Sequence, residues 1–524
     1  MAMKQTFQWD KNTALVKTSR GQVKGYEQNG LSIFKGIPYA KAKRFHAPEP
    51  VEKWNGVFDA ASYGYVCPLL NMDRPSGELY VPHRYWPMDE DCLNLNVWTP
   101  GLDDQKRPVL VWLHGGGYEA GSSIEQAAYD GANMARLGDA VVVSINHRLN
   151  ILGYFDLSDF GEEYANSANA GTDDIIAALH WVHDNIAAFG GDLANVTVFG
   201  QSGGGAKVTT LLQTPAADGL YAKGINMSGV IGMLADEKGS GKEMAEALMQ
   251  ELNLASVKEL ETVDYRLLAK AYLKLRPEFQ KAGKYVGCKP HSNAFYAGDP
   301  CVVGFRKETA HIPLLVGSVF SEFFSFAPSP YDKAVMTPAQ HEKTVRETLG
   351  AEGADVLIPL FKKAYPERDI VDLLRLDFVF RGPEIDYIAK RSVLNDCTFS
   401  YLFNLDQPIN GGTSPWHCSD IPYVFHNIDL VEHTHRPDGD NTITERVQEQ
   451  VFDSVLAFAR TGNPANDRLS DWQPCDADRE NTMVIGEACG VRQNFDHALI
   501  PAVFQHLAPV IAKQMAQGDA KIQH

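Results

Sequence analysis

The stretch NVTVFGQSGGGAKV, residues 195–208, constrains the fold more than any other part of the chain. A β-branched run ends in Gly-x-Ser-x-Gly and passes directly into GGGAKVTTLLQT, whose pattern is helical. Strand, sharp turn and helix are the parts of a nucleophile elbow, in which flanking glycines let the backbone reverse and leave the serine hydroxyl exposed. Gly200, Ser202 and Gly204 occupy those positions. The alternative is a serine that only caps the following helix, so the rest of the chain has to supply the other parts of a catalytic machine.

A strand of this kind sits in the middle of a sheet, and the chain offers companions. LNLNVW (93–98), PVLVWLH (108–114) and AVVVSIN (140–146) are increasingly continuous apolar runs, as expected for strands buried on both faces. GINMSG (224–229), PLLVGSV (313–319) and TFSYLFNL (398–405) add three more candidates. An Asn-Gly pair at 29 and 30 predicts a hairpin at the antiparallel edge. DDIIAALHWVHDNIAAF (173–189) predicts a helix with Ile176, Leu179, Val182, His183 and Ile186 on one stripe. Strands alternating with helices give an α/β class with a large, mostly parallel sheet covered on both faces. Helical insertions are expected around 240–280 and 338–395, with Pro383 kinking or breaking the second. No repeat or linker divides the chain, so residues 1–524 read as one domain.

A serine hydroxyl needs a base, an orienting acid and donors for the oxyanion. LVWLHGGGYEAGSS places glycines 115–117 just beyond a buried strand, where backbone N–H groups without side chains can approach a substrate oxygen. Gly116 and Gly117, with Gly203 after the serine, are therefore the candidate oxyanion-hole donors.

The net charge of −18, from 48 basic and 66 acidic residues, argues against nucleic acid and anionic membranes as partners. No apolar run is long enough for a membrane-spanning helix, and MAMKQTFQWDKNT has no signal-peptide pattern, so a cytoplasmic location is expected. The eight cysteines form no C-x-x-C pair and no zinc-ligand spacing. His433 and His435 form an H-x-H pair without further placed ligands, which reads as a solvated loop and not a metal site. No cofactor is expected.

At this point the chain resembles the type-B carboxylesterases, a family that includes bacterial para-nitrobenzyl esterases and the cholinesterases. EDCLNLNVWTP (90–100) and FGQSGGGAKV are similar to two of its signatures, and FKGIPYA (34–40), NIAAFGGDLANVTVFG (185–200) and FARTGNP (458–464) extend the likeness. The resemblance implies an α/β-hydrolase fold and a triad in the chain order serine, acid, histidine. It points to His417 in SPWHCSDIPYVF as base and to Glu322 in PLLVGSVFSEFFSF as acid, although Ser321 and Phe323 replace the family's flanking Asp and Gly. The implied reaction is hydrolysis of a small-molecule ester through an acyl-Ser202 intermediate, with activity rising as His417 loses its proton.

Other departures bear on substrate. Gln201 stands where the family commonly has Glu, and Gly203 where it has Ala. Trp86 lies nearer Cys92 than the choline-binding tryptophan of cholinesterases would, and the entry segment is shortened to AKAKRF, so cholinesterase activity is not expected. Cys67 and Cys92 fall where secreted relatives close a disulfide; in a reducing cytosol they are expected as thiols. Phe320, Phe323, Phe324, Phe326 and Trp416 either line a pocket or belong to the core. Short-chain or aromatic esters are favoured as substrates, with amides, thioesters and lactones as alternative bonds. A non-catalytic adhesion role on the same fold is the competing class.

Overall fold

The computed structural model describes residues 6–71, 83–230, 232, 237–325, 333, 335–409, 412–436 and 438–513. Its organising element is a twelve-stranded sheet. In chain order the strands are β1 (Phe7–Gln8), β2 (Tyr26–Gln28), β3 (Leu31–Pro38), β4 (Asn94–Thr99), β5 (Arg107–Leu113), β6 (Val141–Ile145) and β7 (Gly191–Gln201). They continue as β8 (Lys223–Met227), β9 (Leu314–Val319), β10 (Thr398–Phe403), β11 (Asn481–Ile485) and β12 (Gly490–Gln493). Across the sheet the order is β1-β2-β3-β4-β6-β5-β7-β8-β9-β10-β11-β12. Every pairing from β6 to β11 is parallel, and antiparallel strands close both ends. The β2–β3 hairpin turns on Asn29 and Gly30, both at positive φ, as the Asn-Gly pair predicts.

The continuous apolar runs are explained by burial on both faces. Along β5, Val109, Val111 and Leu113 face one core, and Leu110 and Trp112 face the other. The first core is closed by helix α1 (Ala170–Asn185), which contributes Ile175, Ile176, Leu179 and Val182. Residues of α2 (Gly203–Leu212), including Val208 and Leu211, join the same core. His183 does not follow the predicted stripe. It is exposed beside Asp184, at the edge of the buried arc, where a polar ring near the end of the helix meets solvent at no loss of packing.

The regions around 240–280 and 338–395 are rich in helix. They contain α3 (Lys242–Leu252), α4 (Tyr265–Lys281), α5 (Pro338–Ala364) and α6 (Arg381–Ser392); α3 and α4 share one core cluster and α5 packs in another, both separate from those flanking the centre of the sheet, whereas Tyr387 and Ile388 of α6 join the first sheet core. Pro383 does not kink a helix. It stands in the first turn of α6, where its missing N–H removes no intrahelical bond, and the chain breaks before it at residues 376–380. On the second face, α7 (Thr442–Thr461) inserts Val447, Val451, Phe452, Val455 and Phe458. Among the described residues, no helix is long and apolar enough to cross a membrane. A series of parallel strands covered on both faces, with an elbow after a central strand, is the α/β-hydrolase arrangement.

Candidate active site

Strand β7 ends at Gln201 and α2 begins at Gly203, so Ser202 alone makes the turn between them. Its φ of 59° and ψ of −126° lie in a region that a residue with a side chain rarely adopts. The surroundings hold it there. Ser202 N–H donates to Met227 O at the end of β8 (2.8 Å), and Ser202 O accepts from Ala206 N (3.0 Å). Glycine is required on the helical side because the elbow is pressed against the end of β5. A Cβ on Gly204 would lie 1.9 Å from Leu113 O, and one on Gly203 would lie 2.0 Å from Gly117 O.

That contact brings the two halves of the proposed hole together. Gly116 (φ 83°) and Gly117 (φ 64°) form the open turn beyond β5, and both are accessible from the site. Among the described residues, no backbone or side-chain acceptor takes the N–H of Gly116, Gly117 or Gly203. Gly115, by contrast, is buried and its N–H is directed to the Tyr129 hydroxyl.

Glu322 and His417 are joined twice. His417 Nδ1 hydrogen-bonds Glu322 Oε2, and the His417 backbone N–H donates to Glu322 O at 3.1 Å. Glu322 is buried and at positive φ (38°), and Val319 N–H donates to its Oε1 (3.0 Å). Glu322 thus sits on a tight 3-10 turn immediately beyond β9. Ser321, which replaces the family's Asp, is buried and donates its N–H to Pro415 O (3.1 Å), tying the acid loop to the histidine loop.

His417 is not hydrogen-bonded to Ser202. Instead Gln201 Nε2 lies 3.3 Å from both ring nitrogens. One nitrogen equidistant from both lies over the face of the imidazole and not at its edge. The other end of the amide is fixed by the Cys418 thiol, which donates to Gln201 Oε1 (3.1 Å). Hydrogen bonds between nucleophile and base are often loose until substrate is in place.

The aromatic residues separate by role. Phe320 and Trp416 are fully buried. Phe323 is 50% exposed, with its ring 4.3 Å from that of His417, and Phe380 lies on the imidazole at 5.2 Å. Phe324 stacks on Phe378 (5.2 Å), which leads to the exposed Phe504 (6.0 Å). Phe326 lies outside the described residues.

Two acids behind Glu322 were not singled out in the sequence. Burial and the nearby charge of Glu322 push the Asp377 carboxyl up to about 8, against the pull of backbone N–H groups from Val379, Phe380 and Arg381. The same causes raise Asp420 to about 7, although Tyr401 O–H donates to it (3.0 Å). At neutral pH Asp377 is therefore mostly protonated and Asp420 about half so. Asp420 has a sequence cue in its place three residues after His417; Asp377 has none.

The remaining candidates lie apart from these groups or at their margin. Cys67 and Cys92 are buried thiols side by side, and their contact raises Cys92 well above an ordinary thiol. Trp86 packs edge-on against Tyr63. His433 packs against Trp416 at 5.0 Å, with burial lowering its ring to about 4, and His435 is exposed.

Comparison with known proteins assigns the chain to a family. The profile of the Carboxylesterase family matches residues 12–499. The chain is 32% identical to the para-nitrobenzyl esterase of Bacillus subtilis over 90% of its own length and 94% of that protein. It is 29% identical to phenmedipham hydrolase of Pseudarthrobacter oxydans, over 90% and 95% respectively. The solved structure of an esterase from anaerobic Clostridium hathewayi, described as able to hydrolyse aliphatic aromatic polyesters, superposes with a TM-score of 0.92 at 47% identity. That match covers 96% of this chain and all of the other. The strand–elbow–helix unit therefore lies in a chain that belongs to the carboxylesterase family, whose members hydrolyse carboxylic esters.

Proposed function

We propose that this carboxylesterase acts through Ser202 as nucleophile, His417 as general base and Glu322 as the acid that orients it, with Gly116, Gly117 and Gly203 as oxyanion donors. One observation chiefly supports the reading. A serine in a strained turn is followed through its chain neighbour Gln201 to a histidine that is itself bonded to a buried glutamate. Ser202 Oγ attacks the ester carbonyl and passes its proton to His417 Nε2, while Glu322 holds Nδ1–H. The tetrahedral oxyanion collapses to acyl-Ser202, and His417 returns the proton to the departing alcohol. Water, deprotonated by the same nitrogen, then releases the acid.

Phe323 and Phe380 favour flat aromatic groups beside the reacting carbonyl, since offset or tilted rings gain about 0.5–1.5 kcal/mol beyond simple burial. The proposed substrates are short-chain and aromatic esters. The polyester activity of the Clostridium hathewayi enzyme makes the ester ends of aliphatic–aromatic polymers a reasonable member of that class.

The test is intact-mass analysis after treatment with a fluorophosphonate, with p-nitrophenyl acetate and butyrate assayed in parallel. The expected result is one adduct on Ser202, and turnover that Ser202→Ala removes by about 10⁶-fold. A folded protein with neither adduct nor turnover would favour the non-catalytic adhesion role instead.

A further inference from the structure

Lys207 lies one helical turn beyond Gly203 on α2, and the proposed function assigns it nothing. Its side chain is almost completely buried (1% exposed). Among the described residues no carboxylate comes within 4 Å of its ammonium, and its hydrogen bond is to a backbone oxygen, His114 O, at 2.9 Å. A buried ammonium without a paired anion is unfavourable, so its presence in a tightly packed region calls for a reason.

The reason lies in which carbonyl it holds. His114 immediately precedes the glycines 115–117. Residues 203 and 207, four apart, share one face of α2. On that face Gly203 meets the Gly117 backbone, and Lys207 meets the His114 backbone. The proposed oxyanion hole is built from two segments nearly ninety residues apart in sequence, and these two contacts, with that of Gly204 on Leu113 O, join them. The groups facing Lys207 are the Tyr118 ring at 5.8 Å, the stacked imidazoles of His114 and His147, the Glu125 carboxyl and the Cys67 thiol. Burial and the lysine itself keep both imidazoles well below their ordinary range, so they add no positive charge to the pocket.

We propose that Lys207 is a positioning residue of the oxyanion hole. Its bond to His114 O fixes the separation between the N–H donors of Gly116 and Gly117 on the loop and that of Gly203 on the helix.

This inference rests on the esterase reading above, and the two fail differently. Lys207→Met keeps the shape of the side chain and removes the donor, Lys207→Gln restores a neutral donor, and Lys207→Arg keeps donor and charge. Each is compared with the parent for kcat and KM on p-nitrophenyl butyrate, and for affinity toward a trifluoromethyl ketone, which forms a tetrahedral adduct. Lys207→Met is expected to lower kcat by about 10- to 100-fold and ketone affinity in parallel, with KM changed less than about threefold. Lys207→Gln or Lys207→Arg should recover part of both losses. A purely structural group would move melting temperature without this parallel loss of turnover and transition-state affinity. An active parent whose folded variants keep kcat and ketone affinity overturns the proposal and leaves the esterase reading intact. Failure of all three variants to fold would assign the ammonium to the fold itself and also overturn it. A parent that turns over no ester would instead refute the function proposed above.

Discussion

The two sides of the site are built on different principles. On the nucleophile side, Ser202 and the glycine loop are placed by backbone. They lie at the ends of neighbouring parallel strands, held by main-chain bonds and by contacts so close that only glycine fits. On the proposed acid–base side, Glu322 and His417 sit on loops beyond β9 and β10 that two main-chain bonds tie together, and side chains complete the placement: their mutual bond, the Phe323 and Phe380 rings, and the Gln201 amide. Backbone placement tolerates almost no substitution but needs few neighbours. Side-chain placement tolerates exchange as long as the partners change together.

Substitutions that attack one side at a time sharpen this contrast. Glu322→Gln should leave the fold intact and lower kcat by about 10⁴-fold, since the imidazole loses the partner that fixes its tautomer. Unchanged turnover on p-nitrophenyl butyrate would move the acid to Asp377 or Asp420. Next in size, Gly203→Ala places a methyl group where Gly117 O now lies and must push the loop away. The expected loss is about 10- to 100-fold in kcat with little change in KM, as for a hole that is spread but not emptied. Equal kcat would mean the loop yields without moving its donors, and backbone placement would be less strict than the contacts imply.

Phe323→Ala tests the side-chain half more gently. With half its surface already exposed, Phe323 should contribute little to stability. Its loss should lower kcat/KM for an aromatic acyl ester about five- to tenfold relative to acetate, in line with the worth of one ring contact. A uniform loss on both substrates would assign the ring to His417 and not to the substrate.

A test of a different kind is the dependence of stability on pH. Burial lowers Lys207 to about 7, whereas a lysine in an unfolded chain titrates near 10.4. Between those values the unfolded chain binds a proton that the folded protein does not, so the stability of the parent gains from rising pH in that window and loses as pH falls toward 7. Lys207→Met has no such group. Its melting temperature relative to the parent should therefore be highest near pH 6 and lowest near pH 9.5. A difference that stays constant with pH would mean the lysine is not desolvated as the packing indicates.

The same division explains what was legible in the sequence. Backbone demands are written locally: Ser202, Gly116, Gly117 and Gly203 could be read because a close approach or a positive φ appears as glycine beside an apolar run. Glu322 needed the family resemblance, because its local neighbours had changed. Lys207 and Asp377 left no signal, since what defines them is a contact with a distant segment. Phe320 and Phe323 are three residues apart with the same chemistry, yet one is core and the other lines the site; the turn at Glu322 decides this, and periodicity does not describe it. His183 was misplaced for a related reason, as an edge position of a helix depends on what packs against it.

The order of the parts along the chain has a consequence for biosynthesis. His417 meets Gln201 across 216 residues and Glu322 across 95. The elbow and its donors leave the ribosome first, the acid later, and the base only when about four-fifths of the chain has been made. At elongation rates of about 5–20 residues per second, a nascent chain carries its serine for ten seconds or more with nothing to deprotonate it. With His417 as the proposed base, the hydrolase stays silent until most of its sheet has been translated, and a product truncated before His417 is expected to be inert whatever else it folds.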